Sequence, residues 1–438
     1  MNLHNNPENA NAYTRRAFLQ SSAVLASAAI TVPAFIQSSA YALPKPALGL
    51  ASIPGVNEDN ILIIIQLSGG NDGLNTVIPY RDDTYHRLRP TLAVNVDNLL
   101  ILDKKMDLAL NGAMTGIREL FDQGQCAIIQ GVGYPNPNRS HFTSTDIWHT
   151  AEISGTGDGW IGRYIDAQCC GYGKGQSGQP DGSHTLEPPI AIGREAPLAL
   201  SGRHMMPVSF ESPDFFEWAG GKFSEDIIEN HQQLTDMSST HADDDSNHSF
   251  LMRTAMDARI SSETIRKAVA AKPLVQYPGS SLAKQLSMIG SMIRAGMKTR
   301  VYYASLGGFD THANQVGGHT RLLRQFSDAI AAFQKDLAAQ GNADRVTTMC
   351  FSEFGRRVGQ NASNGTDHGT AAPMFMFGPK VQGGFHSRHP SLTNLDNGDL
   401  KYTADFRSVY AEVLDKWLST KSRDVLGASF RHLRVLDV

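Results

Sequence analysis

The stretch Asn60-Ile-Leu-Ile-Ile-Ile-Gln-Leu67 constrains the fold of this chain more than any other. A nearly unbroken apolar, β-branched run, stopped by Ser68-Gly69-Gly70-Asn71-Asp72-Gly73, reads as a strand buried on both faces. That is the pattern of a parallel sheet covered by helices. Comparable runs recur at Cys126–Gly131, Thr299–Leu306, Arg345–Phe351 and Pro373–Phe377. Helix-like segments at Asn111–Gln123 and Thr320–Leu337 lie between runs and give a β-α-β rhythm. A chain of 438 residues is long enough to bury a large core as one α/β unit.

The first 42 residues are set apart from that fold. Thr14-Arg15-Arg16-Ala17-Phe18-Leu19 precedes a weakly apolar stretch, Ala23–Ile36, and then Ala40-Tyr41-Ala42. A basic start, a short apolar centre and a small-x-small end describe an export signal, and the paired arginines mark the twin-arginine type. The apolar stretch is too short for a bilayer, which needs about 20 residues. The mature chain is therefore expected to be periplasmic or extracellular, to have met the twin-arginine translocon, and to carry no membrane span. Residues 43–438 are read as one domain, with a cap or insertion at about 190–290. A formal net charge of -4 argues against nucleic acid as a partner. Cys126 and Cys350 fall in strands and read as buried apolar residues, and no disulfide framework is expected.

Polar residues follow or precede the apolar runs. In parallel sheets the chemistry gathers outside the carboxyl ends of the strands. Asp72 follows the first run, Gly307-Gly-Phe-Asp310-Thr-His312 the third, and Ser352-Glu353-Phe-Gly-Arg356 the fourth. Thr366-Asp367-His368-Gly369 precedes the last. Carboxylates and imidazoles are ligands for zinc, manganese or magnesium. Arg139-Ser140-His141-Phe142 stands where a helix should start, a place suited to a nucleophilic hydroxyl or an anion. Bland readings accompany each: Asn-Asp-Gly is good turn chemistry, Ser140 a plain N-cap, and the acidic run His241–His248 a solvated linker.

The motifs Leu67–Asn75, Arg139–Phe142, Gly307–His312, Ser352–Arg356 and Thr366–Gly369, behind a twin-arginine signal, resemble the DUF1501 family. That family is similar, more distantly, to the alkaline phosphatase and sulfatase superfamily. The resemblance implies an alkaline phosphatase-like, three-layer α/β sandwich with a largely parallel central sheet and metal at the carboxyl ends of its strands. It implies metal ligands among Asp72, Asp310, His312, Glu353, Asp367 and His368. It implies Ser140 as the attacking hydroxyl, with Arg139 or Arg356 neutralising the oxyanion. The expected activity is metal-dependent hydrolysis of a phosphate or sulfate ester, on a small molecule or glycan. The alternative is a secreted binding protein on the same fold, since Phe354 stands where the superfamily places an imidazole after the carboxylate.

Overall fold

The computed structural model describes residues 59–103, 105–170, 187–203, 207–212 and 264–438. The signal segment 1–42, the glycine-rich stretch 171–186 and the run His241–His248 lie outside the described residues. Strand β1 (Ile61–Leu67) is followed by a small antiparallel sheet of β2 (Val77–Pro79), β3 (Leu99–Asp103) and β4 (Leu108–Asn111). The main sheet continues with β5 (Cys126–Gly133), β6 (Ile190–Ile192), β7 (Val208–Phe210), β8 (Val301–Leu306) and β9 (Val346–Phe351). It ends with β10 (Ala372–Phe377) and β11 (Gly384–His386). A hairpin of β12 (Leu395–Asp396) and β13 (Asp399–Leu400) then leads to β14 (Ala404–Asp405), which pairs with β5.

The main sheet runs β11-β5-β10-β9-β1-β8-β6-β7. Strand β1 is central, parallel to β8 and β9 on its two sides. Strand β10 is antiparallel to both β9 and β5, whereas every other pairing in this sheet is parallel. One reversed strand has a direct consequence for the site: the segment leading into β10 emerges at the same edge as the carboxyl ends of β1, β8 and β9.

Alternation along β1 builds the three layers. Ile61, Ile63 and Ile65 join one buried cluster with helices α2 (Thr115–Asp122), α5 (Ser281–Arg294) and α6 (Gln315–Gln340). Leu62 and Ile64 face the opposite way, towards Trp148 of α3 (His141–Thr150), Ile161 of α4 (Trp160–Cys170) and Tyr410 of α7 (Phe406–Glu412). Helix α1 (Asp83–Leu88) packs beside the small sheet, its Tyr85 in one buried cluster with Ile78 of β2. Truncating a fully buried residue such as Ile63 to alanine removes roughly 2–5 kcal/mol at a site of this kind.

The fold is thus the expected α/β sandwich, with local differences. Helix α2 starts at Thr115 rather than Asn111, because Asn111 closes β4 and its Oδ1 accepts from the Ala113 N–H at 3.1 Å. The region expected as a cap at about 190–290 begins and ends in the main layers: β6 and β7 extend the sheet, and α5 packs on it. At the sheet's other edge, β11 pairs in parallel with β5. Cys126 and Cys350 are buried and free.

Buried His149, on α3, donates from Nε2 to the Tyr303 hydroxyl at 3.0 Å, and that hydroxyl donates to Gln66 Oε1 at 2.6 Å. Burial pushes its pKa down to about 4. Below its unfolded value of about 6.5 the unfolded chain takes up a proton that the folded chain refuses, so stability falls as pH drops towards 4. The loss from this one group is roughly 3 kcal/mol. Denaturant unfolding between about pH 7 and pH 4 should show a flatter slope in His149→Gln than in the wild type. Equal slopes would assign the loss to other groups.

Candidate metal centre

The loops after β1, β8 and β9 are locked together beneath the sheet's carboxyl edge. Gly69 sits at φ +116°, and a Cβ there would lie 2.4 Å from the Asp310 backbone nitrogen. No L side chain fits, so the loops after β1 and β8 touch backbone to backbone. Arg356, buried to 1% exposure, threads between them. It donates to the carbonyls of Gly70 (2.7 Å), Thr366 (2.8 Å) and Phe309 (3.0 Å), to that of Gly69, and to Asp310 Oδ1 at 2.6 Å. An isolated antiparallel bridge pairs Arg356 with His368, which sets the segment before β10 against the same clamp.

Four side chains converge above it. His312 Nε2 lies 3.0 Å and His368 Nε2 3.1 Å from Asp310 Oδ1, and the two ring nitrogens are 2.9 Å apart. His141 Nε2 lies 3.5 Å from Asp310 Oδ2, and is buried with no hydrogen-bond partner. His141, Asp310 and His368 each offer a ligand atom within 4.8 Å of the others. Among the described residues this is the group of carboxylates and imidazoles with metal-binding spacing.

The far side of each ring fixes its tautomer. His368 Nδ1 is 2.8 Å from the Arg139 carbonyl, which can only accept, so Nδ1 carries the proton. His141 Nδ1 is 2.8 Å from Glu353 Oε1, which also accepts from the Gly69 N–H at 2.8 Å. His312 Nδ1 is 3.3 Å from Asp367 Oδ1, a carboxylate that Asn361 also binds at 3.1 Å. In its neutral form each ring then presents the Nε2 lone pair to the centre. The His312 and His368 Nε2 atoms lie at hydrogen-bond distance from Asp310 Oδ1 and the unpartnered His141 Nε2 lies 3.5 Å from Oδ2, an arrangement that a positive species satisfies. Burial tends to raise the Asp310 pKa, but the hydrogen bond from Arg356 and its charge outweigh it and hold it at about 2. Rings held from behind by a carboxylate or carbonyl are the standard support of a metal-binding histidine. The donor set of three imidazoles and one carboxylate fits zinc or a neighbouring transition ion better than magnesium, which prefers oxygen.

Several expected residues take other places. Asp72 is fully buried in an ion pair with Arg89 at 2.6 Å, and it does not face the centre. Burial raises its pKa, but the Arg89 charge and hydrogen bond prevail and lower it overall. Glu353, 1% exposed, spends Oε1 on Gly69 and His141 and so holds a ring rather than an ion. Asp367 supports His312, not the adjacent His368. Arg356 is committed to carbonyls and Asp310 beneath the surface, so it does not reach a ligand's oxyanion. The Arg139 side chain pairs with Asp399 at 3.3 Å, and only its carbonyl meets the centre. Ser140 is exposed at the start of α3, and its hydroxyl makes no capping bond. Asp310, His312 and His368 do converge.

His141 belongs to this cluster but was not among the metal candidates reached by reasoning along the chain. It comes from the first turn of α3, its ring tilted against that of Phe354 with centroids 4.9 Å apart. Its signal in the sequence was only that it stood next to Ser140. Behind the rings, Gln315 at the start of α6 donates to Asp72 and accepts from Thr311 Oγ1 (3.0 Å) and Thr366 Oγ1 (2.6 Å). Thr311 immediately precedes His312, and Thr366 lies two residues before His368. Asp72 therefore steadies both ligand loops through Gln315.

With this geometry in view, residues 221–395 match the family model described as a protein of unknown function (DUF1501). The match includes Asp310, His312 and His368 but stops short of His141. No curated protein matches the chain. Similar solved structures include the lipoteichoic acid synthase LtaP from Listeria monocytogenes, at 9% identity, covering 92% of this chain and 80% of that one with a TM-score of 0.35. Another is the PsFucS1 sulfatase from Pseudoalteromonas sp., at 9% identity, 86% and 72% coverage and a TM-score of 0.38. A third is Ps i-CgsB in complex with k-i-k-neocarrahexaose, at 9% identity, 86% and 75% coverage and a TM-score of 0.37.

Replacing Gln315 by leucine leaves Thr311, Thr366 and Asp72 short of partners. The variant should lose about 1–3 kcal/mol in denaturant unfolding. It should also bind zinc roughly 10–100-fold more weakly by titration. Wild-type zinc affinity would show that Gln315 supports the fold without supporting the rings.

Proposed function

We propose that this chain is an exported, metal-dependent hydrolase acting on a phosphate or sulfate ester. The observation that carries this reading is the convergence of His141, His312 and His368 Nε2 on the Asp310 carboxylate. A divalent cation held there would supply Lewis acidity, drawing charge from an ester oxygen and lowering the pKa of a bound hydroxyl or water. The chain's own residues supply the rest. Glu353, Asp367 and the Arg139 carbonyl keep the three rings in the metal-binding tautomer. Arg356 keeps Asp310 ionised across the working pH range. Ser140 presents an exposed hydroxyl, free of capping, one residue before His141, and takes the role of nucleophile. Asp310→Ala and His368→Ala should each lose bound metal and at least a hundredfold of ester turnover with unchanged circular dichroism, whereas full turnover in both would exclude the assignment.

One observation favours a second reading, a secreted metal-binding protein without turnover. Both arginines suited to stabilising an oxyanion are engaged elsewhere, Arg356 beneath the centre and Arg139 on Asp399. A wild-type protein that binds metal yet hydrolyses no phosphate or sulfate monoester would select this reading. Export is tested separately: replacing both Arg15 and Arg16 by lysine should leave the chain in the cytoplasm, and unaffected export would rule out the twin-arginine route.

A further inference from the structure

Between the end of β5 and the start of α3 the chain crosses residues 134–140 without helix or strand. Pro135 and Pro137 have no N–H to give, and Asn136 between them sits at φ +54°. This short loop nevertheless carries the Arg139 carbonyl that holds His368, and it delivers Ser140 and His141 to the centre. Contacts outside regular secondary structure must fix it in place.

A single line of hydrogen bonds does so. The Asn138 N–H donates to the Tyr134 hydroxyl at 3.1 Å, and that hydroxyl lies 2.8 Å from Ser144 Oγ. Ser144, on α3, gives its own proton to the Glu353 carbonyl at 2.5 Å. A hydroxyl has one proton, so Ser144 accepts from Tyr134 and the direction of the whole line is set. Each bond points from the loop through α3 towards the segment after β9, an order in which successive bonds strengthen one another. Tyr134 is 3% exposed and Ser144 0%, so solvent does not replace either bond. Asn138 extends the line on its other side, where its Oδ1 accepts from the Ser140 N–H at 2.7 Å.

The two ends of the line support two different rings. Glu353 holds His141 Nδ1, and Arg139, next to Asn138, holds His368 Nδ1. The third ring, His312, is held by Asp367 with Asn361 behind it, outside this line.

We infer that the Tyr134 hydroxyl is a positioning group for the centre: through Ser144 and Asn138 it fixes the supports of His141 and His368 relative to one another and leaves His312 independent. The inference rests on the cation site and does not require turnover. The test uses the full mature chain, stripped of metal with a chelator and titrated with zinc. Tyr134→Phe removes one oxygen and keeps the ring edge-on to Phe406, at a centroid distance of 5.9 Å. Ser144→Ala removes the next link. Each should weaken zinc binding roughly 10–100-fold. The double variant should lose no more than the worse single, because a line cut twice is cut once. Asn361→Ala, on the third ring, should add its own loss in full to that of Tyr134→Phe. Tyr277→Phe is the control: its hydroxyl donates to Asp336 at 2.9 Å near the far end of α6, so it should lower the denaturant midpoint and leave zinc affinity unchanged. Wild-type zinc affinity in Tyr134→Phe and Ser144→Ala, additive losses between those two, or an equal loss in Tyr277→Phe would overturn the inference. A wild type that takes up no zinc would overturn the cation site itself and this inference with it, whereas tight wild-type binding that neither substitution moves would remove only the role of Tyr134.

Discussion

The buried guanidinium of Arg356 is the interaction on which the site depends. It serves four backbone carbonyls and one carboxylate, drawn from the loops after β1 and β8 and the segment before β10. A buried charge without its partners costs about 3–5 kcal/mol, so these segments cannot drift apart without exposing that penalty. A lysine would supply the charge but not the planar fork that reaches carbonyls in several directions. The same group keeps Asp310 ionised. One residue therefore both assembles the loops and sets the charge of the ligand they present.

Around that clamp, carboxylates divide into two kinds by partner. Asp310 faces outward and meets three imidazoles. Glu353, Asp367 and Asp72 face backward or sideways: Glu353 and Asp367 each hold a ring nitrogen, and Asp72 holds Gln315 while neutralised by Arg89. For Asp72 and Glu353 this follows from desolvation, since a buried carboxylate persists only where donors surround it. Asp72 has Arg89 and Gln315; Glu353 has the Gly69 N–H and His141. A residue type that would ligate a metal in one position thus becomes a support in another.

Much of the fold was legible in the sequence, because it rests on local pattern. The run from Ile61 to Leu67 declares a strand covered on both faces, and its alternating residues do divide between two cores. Asp310 and His312 were legible as candidates because they follow β8, and they do converge with His368. The direction of β10 was not: nothing between Ala372 and Phe377 says that the strand runs against its neighbours, yet that reversal is what brings His368 to the carboxyl edge. Asp72 was misplaced because Arg89, its partner, lies beyond the turn that made it conspicuous. His141 was undervalued because its role depends on Glu353, 212 positions away and on another element. Strand identity is written locally, while the choice between ligand and support is written in contacts between distant segments.

The central claim is that three imidazoles and one carboxylate form a cation site at the carboxyl edge of the sheet. It is tested most directly on the mature protein from its own export route, by elemental analysis joined to X-ray absorption at the edge of whatever metal is found. The account predicts about one tightly held transition ion per chain, with imidazole nitrogens dominating its coordination. A protein that carries no metal and takes up none on titration with zinc or manganese would contradict it, as would a bound ion surrounded by oxygen alone.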